Sequence, residues 1–263
     1  MQEGWETAEF RFYEELNDVL PAERRKRPFA YAFHGTPAVK DAIEAIGVPH
    51  TEVDLILVNG VSVGFEYRLQ PGDHVSVYPV FESLDIGPVT RLRPQPLRQP
   101  KFVCDVHLGK LARRLRLLGF DVAYHNMATD PELVETALAE QRAILTQDRG
   151  ILKLKTVSHG YLVRSPNVQE QVVEVIRRFD LLARIDPFSR CTHCNGLILS
   201  VDKADVQADL PPKTRGYYHE FFRCQACGKV YWKGTHFIRL EAEVRQLVVR
   251  SAEPQNRTAM TAP

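Results

Sequence analysis

Apolar and polar residues alternate in short stretches near the start of the chain, which is the pattern of half-buried β-strands. AEFRFY (8–13) and PFAYAFH (28–34) are two such stretches. VKDAIEAIG (39–47) instead repeats its apolar residues at helical spacing and stops at a glycine. DLILVNGVSV (54–63) places two apolar runs around Asn59-Gly60, a pair typical of a tight hairpin. These stretches predict two strands, a helix and a hairpin in that order.

A turn and a last strand, LQPGDHVSVYP (69–79), complete the order of a β-grasp domain. Through VNG (58–60) and PGD (71–73) this segment resembles ubiquitin-like sulfur-carrier domains. We therefore predict an α+β, ubiquitin-like β-grasp domain over residues 5–84, and we interpret it as a module for docking or stability. Four prolines within residues 85–100 predict a semi-rigid linker after it.

The next segment begins with a short apolar strand, residues 102–104, and continues as a helix that Gly119 ends. Apolar residues at spacings of three and four form the predicted buried stripe of this helix. The basic residues are predicted to lie off that stripe. The stripe contains Leu108, Leu111, Ala112, Leu115 and Leu118, and the basic residues are Lys110, Arg113, Arg114 and Arg116.

Strands and helices alternate from there to residue 187. FDVAYHN (120–126), AILT (143–146) and GYLVR (160–164) predict further strands, with Asp121 inside the first of them. Asp130-Pro131 predicts a helix start with Asp130 as the N-cap, and VQEQVVEVIRRFDLL (168–182) predicts the closing helix. This alternation indicates an α/β domain with a parallel sheet over residues 101–187.

Three aspartates are the candidate catalytic residues of this domain. Asp105 and Asp148 follow predicted strands, and Asp130 stands at a helix start. In open parallel sheets the site lies beyond the carboxyl ends of the strands, and converging carboxylates favour Mg²⁺ or Mn²⁺. Each aspartate also has a plainer interpretation as a turn or cap residue. Arg149, with Lys110, Arg113 and Arg114, is the candidate phosphate contact, although a solvated helix face is the alternative. Cys104 is interpreted as a buried thiol.

Two CxxC pairs are separated by 29 intervening residues within residues 188–250, and we interpret this segment as a zinc ribbon with a C-terminal helix. Four thiolates suit structural zinc better than a redox dithiol, because each pair is followed by a turn-forming glycine. The polar residues 251–263 predict a disordered tail. The predicted zinc ligands are Cys191, Cys194, Cys224 and Cys227.

Basic and aromatic residues alternate around the second CxxC pair, a composition that serves single-stranded RNA binding. The same aromatic residues would also serve as the small core that a ribbon needs. Trp232 and His236 in YWKGTH (231–236) are the substrate contacts predicted here, with a packed surface histidine as the alternative for His236.

DVHLGKLARRLRLLGFDV (105–122) and DPELVETALAEQRAILTQDRGIL (130–152) resemble the Mut-seven C-terminal ribonuclease family, a branch of the PIN-like nucleases. The resemblance covers residues 101 to about 240, and some family members carry an N-terminal β-grasp domain. It implies a metal-dependent ribonuclease in which Asp105, Asp130 and Asp148 gather Mg²⁺ or Mn²⁺. The further glutamate of the usual PIN pattern has no clear equivalent here.

Charge and hydropathy limit the remaining classes. The net charge of +1 is distributed unevenly, and the C-terminal third is mildly basic, which allows a polyanionic partner without demanding one. No run of 18 apolar residues and no signal-peptide pattern is present, so a cytoplasmic protein with no membrane span is expected. Two alternatives to a ribonuclease remain open: a non-catalytic RNA- or ribosome-binding adaptor, and a module that docks a protein partner through the β-grasp domain.

Overall fold

The computed structural model of the protein describes residues 4–79, 91–92 and 100–253. The chain divides into two compact units. The first joins residues 1–100 to residues 129–162, and the second joins residues 101–128 to residues 163–263. The first unit therefore contains the ubiquitin-like segment together with the stretch that carries Asp130 and Asp148. Most of the predicted linker 85–100 lies outside the described residues.

Short strands and helices follow one another along the described residues. The strands are β1 (Glu6–Phe12), β2 (Phe29–Phe33), β3 (Val53–Val58), β4 (Val61–Val63), β5 (His74–Pro79), β6 (Lys101–Cys104), β7 (Val122–Tyr124), β8 (Arg142–Thr146), β9 (Gly160–Leu162), β10 (Ile198–Val201), β11 (Phe221–Cys224) and β12 (Val230–Trp232). The α-helices are α1 (Val39–Ile46), α2 (Gly109–Leu117), α3 (Asp130–Ala139), α4 (Arg149–Leu152), α5 (Val168–Arg178), α6 (Lys203–Val206), α7 (Pro212–Tyr217) and α8 (Thr235–Ala252).

The ubiquitin-like part of the first unit has a five-stranded sheet in the order β2-β1-β5-β3-β4. β1 and β5 are parallel, and the other pairs are antiparallel. The predicted hairpin is confirmed: Asn59 and Gly60 join β3 to β4 with φ angles of 51° and 83°, which residues of these types adopt readily. Phe10, Phe12, Ile43 and Ile56 are fully buried between the sheet and α1.

The remainder of the first unit is a helix followed by a parallel strand pair. α3 packs its buried residues Leu133, Val134 and Ala137 toward β8, and β8 pairs in parallel with β9. All five residues of β8 are buried. The four-residue helix α4 begins at once after Asp148 and connects this buried strand to the loop before β9.

The second unit combines a second parallel strand pair with the cysteine-rich segment. β6 and β7 are parallel, and α2 packs against both of them and against α5. The antiparallel sheet β10-β11-β12 follows, and the segment between β10 and β11 folds into α6 and α7. α8 packs on α5. It ends at Ala252, so residues 251 and 252 are helical and do not belong to the predicted tail; the tail beyond residue 253 lies outside the described residues.

Two predictions about local roles are wrong. Asp130 is not the N-cap of α3; Thr129 holds that position, and its capping box with Glu132 satisfies the first turn. Arg116 was predicted to lie off the buried stripe of α2, but its side chain is buried, with 4% exposed. Within the described residues, no helix has the length and apolar character that crossing a membrane requires.

Candidate functional site

Asp148 is an exposed residue that lies two positions after the end of the buried strand β8. Its main-chain N–H donates to Thr146 Oγ1 at 2.9 Å, and its Oδ1 accepts the N–H of Gly150 at 2.7 Å. The residue is therefore the N-cap of α4, which is the plainer of its two predicted interpretations. The cap uses one carboxylate oxygen, and the side chain is exposed. Capping and metal binding are compatible here, because a carboxylate has lone pairs on both oxygens.

Asp105 follows the other predicted catalytic strand, β6. It is 6% exposed and caps the short 3₁₀ helix Val106–Leu108, because its Oδ1 accepts the N–H of His107 at 2.7 Å. The preceding Cys104 is buried as expected. Burial, and next the carboxylate of Asp105, raise the pKa of the Cys104 thiol, so it stays protonated at neutral pH. A protonated, buried thiol is not a nucleophile.

Asp130 is exposed on the first turn of α3. Because Thr129 makes the cap, the carboxylate of Asp130 has no capping role. It lines an open groove of about 800 Å³ whose walls include Pro131, Leu138 and Leu154. Glu132 is used differently, since it accepts the N–H of Thr129 at 2.8 Å and closes the capping box. Both acids of this first turn are exposed, and Asp130 is the one that takes no part in the capping box.

The predicted phosphate contacts have unequal surroundings. Lys110 and Arg113 are exposed on α2, and Arg149 is exposed at the start of α4. Arg114 forms an ion pair with Glu243 of α8. Lys110, Arg113 and Arg149 are therefore better placed than Arg114 to receive a phosphate.

The four cysteines form a cluster whose sulfur atoms all lie within 4.8 Å of one another. Cys191 Sγ lies 3.7 Å from Cys227 Sγ, and Cys194 Sγ lies 3.4 Å from Cys224 Sγ. Tetrahedral zinc with Zn–S bonds of roughly 2.3 Å requires sulfur separations of roughly 3.8 Å, so the donor set and its spacing suit zinc. Among the residues described, these four cysteines are the group of three or more metal-ligating side chains whose ligand atoms lie this close together.

The pKa values of the cysteine thiols differ within the cluster. Burial raises the pKa of Cys191, but hydrogen bonds from Tyr231 and from main-chain N–H groups outweigh it and lower that pKa to about 6. Burial and the neighbouring thiols raise the pKa of Cys194 to about 12. Tyr231 Oη lies 3.0 Å from Cys191 Sγ. Neighbouring thiols cannot all lose their protons without repelling one another, and a bound divalent cation removes this repulsion.

Hydrogen bonds attach the turn of the first CxxC pair to the α/β part of the same unit. The sequence did not predict this attachment. Arg116 donates from Nε to the carbonyl of Val122 at 2.8 Å and from Nη1 to the carbonyl of His193 at 2.9 Å. Asn195 accepts the N–H of Val122 at 3.0 Å and donates to Asp121 Oδ1 at 2.8 Å. Asp121, which precedes β7, also pairs with Arg190 at 3.2 Å. The feature that could have revealed this attachment is Arg116 itself, a positively charged residue at a buried position of α2.

The aromatic residues of the ribbon divide between its two faces. Phe221 is buried with Val206 and Leu210, and Trp232 packs against this small core. Phe222 alternates with Phe221 along β11 and thus lies on the opposite face, where Lys233 Nζ is 5.8 Å from its ring centroid. Trp232, the cross-strand partner of Phe221, therefore lies on the core face, and Phe222 lies on the other face together with its own partner Tyr231. His236 is exposed on the first turn of α8.

Comparisons with known proteins found two matching family models and one similar protein. The family model described as Mut7-C RNAse domain matches residues 100–244, and the one described as Mut7-C ubiquitin matches residues 5–85. A human protein described as exonuclease mut-7 homolog is 36% identical over 106 residues, which cover 38% of this chain and 12% of that protein. The chain therefore corresponds to a small part of that relative. No solved structure matches the chain.

Proposed function

Because the chain belongs to the Mut7-C RNAse family, with a Mut7-C ubiquitin domain before the nuclease domain, we propose that it is a metal-dependent ribonuclease. The observation that carries the proposal is Asp148, an exposed carboxylate on a short helix at the end of a fully buried strand. A rigid strand presenting an acid to solvent is how α/β folds build catalytic sites.

Asp105, Asp130 and Asp148 are the proposed ligands of Mg²⁺ or Mn²⁺. Carboxylate oxygens are the hard donors that these ions prefer. Neither Asp130 nor Asp148 uses both of its carboxylate oxygens in helix capping. When bound, such an ion supplies an activated water and neutralises charge at the phosphate. Asp105 would contribute from a buried position, where a carboxylate interacts most strongly with a nearby cation.

The remaining residues of the proposed site hold the RNA. Lys110, Arg113 and Arg149 are exposed cations on or beside the elements that carry the aspartates, and they would bind the phosphate backbone. On the ribbon, the ring of Phe222 with Lys233 offers a base-stacking surface beside a cation, in addition to the predicted contacts of Trp232 and His236. In the four-cysteine cluster we propose structural zinc.

Purified wild type and Asp148→Asn, incubated with labelled RNA and Mn²⁺ and with chelator, test the proposal. Asparagine is as good an N-cap as aspartate, so α4 should survive the exchange while the charge is lost. Asp202→Asn is a matched control, because Asp202 is also an exposed aspartate at the N-cap of a four-residue helix. We expect Mn²⁺-dependent cleavage by wild type and Asp202→Asn, and a loss of at least about 100-fold in Asp148→Asn. Equal cleavage by all three proteins would refute the proposal.

One observation favours the adaptor as a second candidate. Asp121 is the acid that follows α2, and its carboxylate is occupied by Asn195 and Arg190, which leaves three aspartates for the ion. An adaptor with too few ligands would bind RNA with a steep salt dependence and give no products with Mn²⁺. Binding without cleavage by wild type would decide for the adaptor.

A further inference from the structure

The ubiquitin-like part of the first unit makes specific contacts with the segment that follows Asp148. Lys153 Nζ donates to the carbonyl of Glu44 at 2.9 Å. His50 Nε2 lies 2.9 Å from the carbonyl of Val157, and Glu52 Oε1 accepts the N–H of Leu162 at 3.0 Å. We name these three hydrogen bonds the anchor contacts. They join residues 107 to 110 positions apart in the sequence, so neither domain alone can form them.

The anchor contacts are built into buried surroundings. His50 and Glu52 are 5% and 1% exposed, and both lie in the short 3₁₀ helix His50–Glu52. The other ring nitrogen of His50, Nδ1, lies 2.6 Å from Glu44 Oε1, and the ring packs edge-on to Phe65. A buried histidine held on both sides has a single orientation, so the Val157 carbonyl that it contacts is fixed as well.

The helix that Asp148 caps is bounded by these contacts. α4 spans only Arg149–Leu152, and Lys153 follows it directly. One end of α4 is tied to β8 through Asp148 and Thr146, and the other is tied to α1 through Lys153. A four-residue helix makes few hydrogen bonds of its own and is too short to be stable alone. Its position, and with it the direction of the Asp148 carboxylate, therefore depends on what holds its ends.

Arg149 is also adjacent to the ubiquitin-like part. A Cβ built on Gly47 would lie 3.7 Å from Arg149 Nη1, so the guanidinium is next to the residue that ends α1. The last carbonyl groups of a helix carry partial negative charge, which attracts cations. Lys153 binds one of these carbonyls, that of Glu44. The C-terminal end of α1 thus binds Lys153 and lies next to Arg149.

From these contacts we infer that the ubiquitin-like domain is part of the candidate nuclease site, with Glu44, His50 and Lys153 as positioning residues for Asp148 and Arg149. The catalytic consequence rests on the proposed function, but the anchoring does not. The inference contradicts a purely partner-docking domain, for which removal of the contacts would leave cleavage intact. A misplacement of about 1 Å in a catalytic group is enough to cost up to about 100-fold in rate.

Full-length variants test the inference with matched controls. Lys153→Met removes one anchor contact, Lys153→Arg should restore it, and Lys155→Met makes the same change at an exposed position two residues later. His50→Gln replaces the ring that contacts Glu44 and Val157 from opposite sides by a single amide group, which cannot hold both partners in the same way. His74→Gln is its control, because His74 pairs with Glu9 at 3.0 Å on an exposed part of the same domain. Two independent variants keep the test decisive if one of them fails to fold.

The first measurement is hydrogen exchange of the segment 149–162, which needs no catalytic activity. We expect exchange about tenfold faster in Lys153→Met and His50→Gln, and wild-type exchange in Lys153→Arg and both controls. The second measurement separates kcat from RNA affinity with Mn²⁺ present. We expect kcat about tenfold lower in the two anchor variants at an unchanged Kd for RNA, because a positioning residue does not bind substrate.

The outcomes separate the two proposals. Wild-type exchange in both anchor variants would overturn the anchoring. Faster exchange with an unchanged kcat would overturn the positioning role. If wild type does not cleave RNA at all, the nuclease proposal fails, and the catalytic part of the inference fails with it. The exchange measurement still decides whether the ubiquitin-like domain holds the Asp148 segment.

Discussion

Replacing Arg116 by methionine tests whether the cysteine-rich segment is a fixed part of its unit. Methionine keeps most of the apolar stem and removes the guanidinium. Burial lowers the pKa of Arg116, which shows that its charge is held at a cost, and that cost is offset by hydrogen bonds to Val122 and His193. Thr192 supplies a longer third contact at 3.4 Å.

The expected magnitude follows from these bonds. Each hydrogen bond from a charged donor contributes about 1.5–3 kcal/mol, and losing two of them would cost about 3–6 kcal/mol. Relief of the buried charge returns part of this, so we expect the free energy of unfolding to fall by about 2–4 kcal/mol. Because Thr192 and His193 lie between the two cysteines of the first pair, we also expect a chelator to remove zinc about tenfold faster.

The assay is denaturant unfolding together with the rate of zinc release to a coloured chelator. Arg113→Met is the matched control, because Arg113 lies on the same helix and is exposed. Its free energy of unfolding should stay within about 0.5 kcal/mol of wild type. If Arg116→Met loses no more stability than Arg113→Met and releases zinc at the same rate, the fastening described above does not exist in solution.

Two further predictions concern the backbone. Gly119→Ala should lower the free energy of unfolding by at least about 3 kcal/mol, because φ is +97° and a Cβ would lie 2.2 Å from the carbonyl oxygen of Asp186, whereas Gly72→Ala, at φ +80° with no atom within 4 Å, should cost about 1 kcal/mol. Equal losses in thermal or denaturant unfolding would contradict the clash. Thr129→Ala should cost about 1 kcal/mol by opening the capping box of α3, while Asp130→Ala should cost less than about 0.5 kcal/mol; the reverse order would return the cap to Asp130.

Local patterns predicted the elements well, because they depend on neighbours in the sequence. The hairpin at Asn59-Gly60, the buried stripe of α2 and the short strand before Asp105 are all present. The cap of α3 was misassigned because both Thr129 and Asp130 are good caps, and the choice depended on Glu132, which reaches back to Thr129.

Long-range contacts explain what the sequence could not predict. Arg116 was predicted to lie off the buried stripe because a charged residue is rarely buried, and two of its acceptors, Thr192 and His193, lie more than seventy residues later. The contacts of Glu44 and His50 with the Asp148 segment could not be predicted, because the proline-rich stretch between them indicates a domain boundary. The joint binding of an ion by the three aspartates stays a prediction.

The fastening of Arg116 also bears on the order in which the protein is completed during synthesis. Its acceptors at Thr192 and His193 are 76 and 77 residues downstream. At about 5–20 residues per second, the ribosome needs about 4–15 s to add them. During that interval Arg116 lacks the acceptors at Thr192 and His193, so burying its charged side chain is unfavourable. The packing around this position of α2 is therefore not yet stabilised. We expect the second unit to reach its final packing only after the first cysteine pair has emerged.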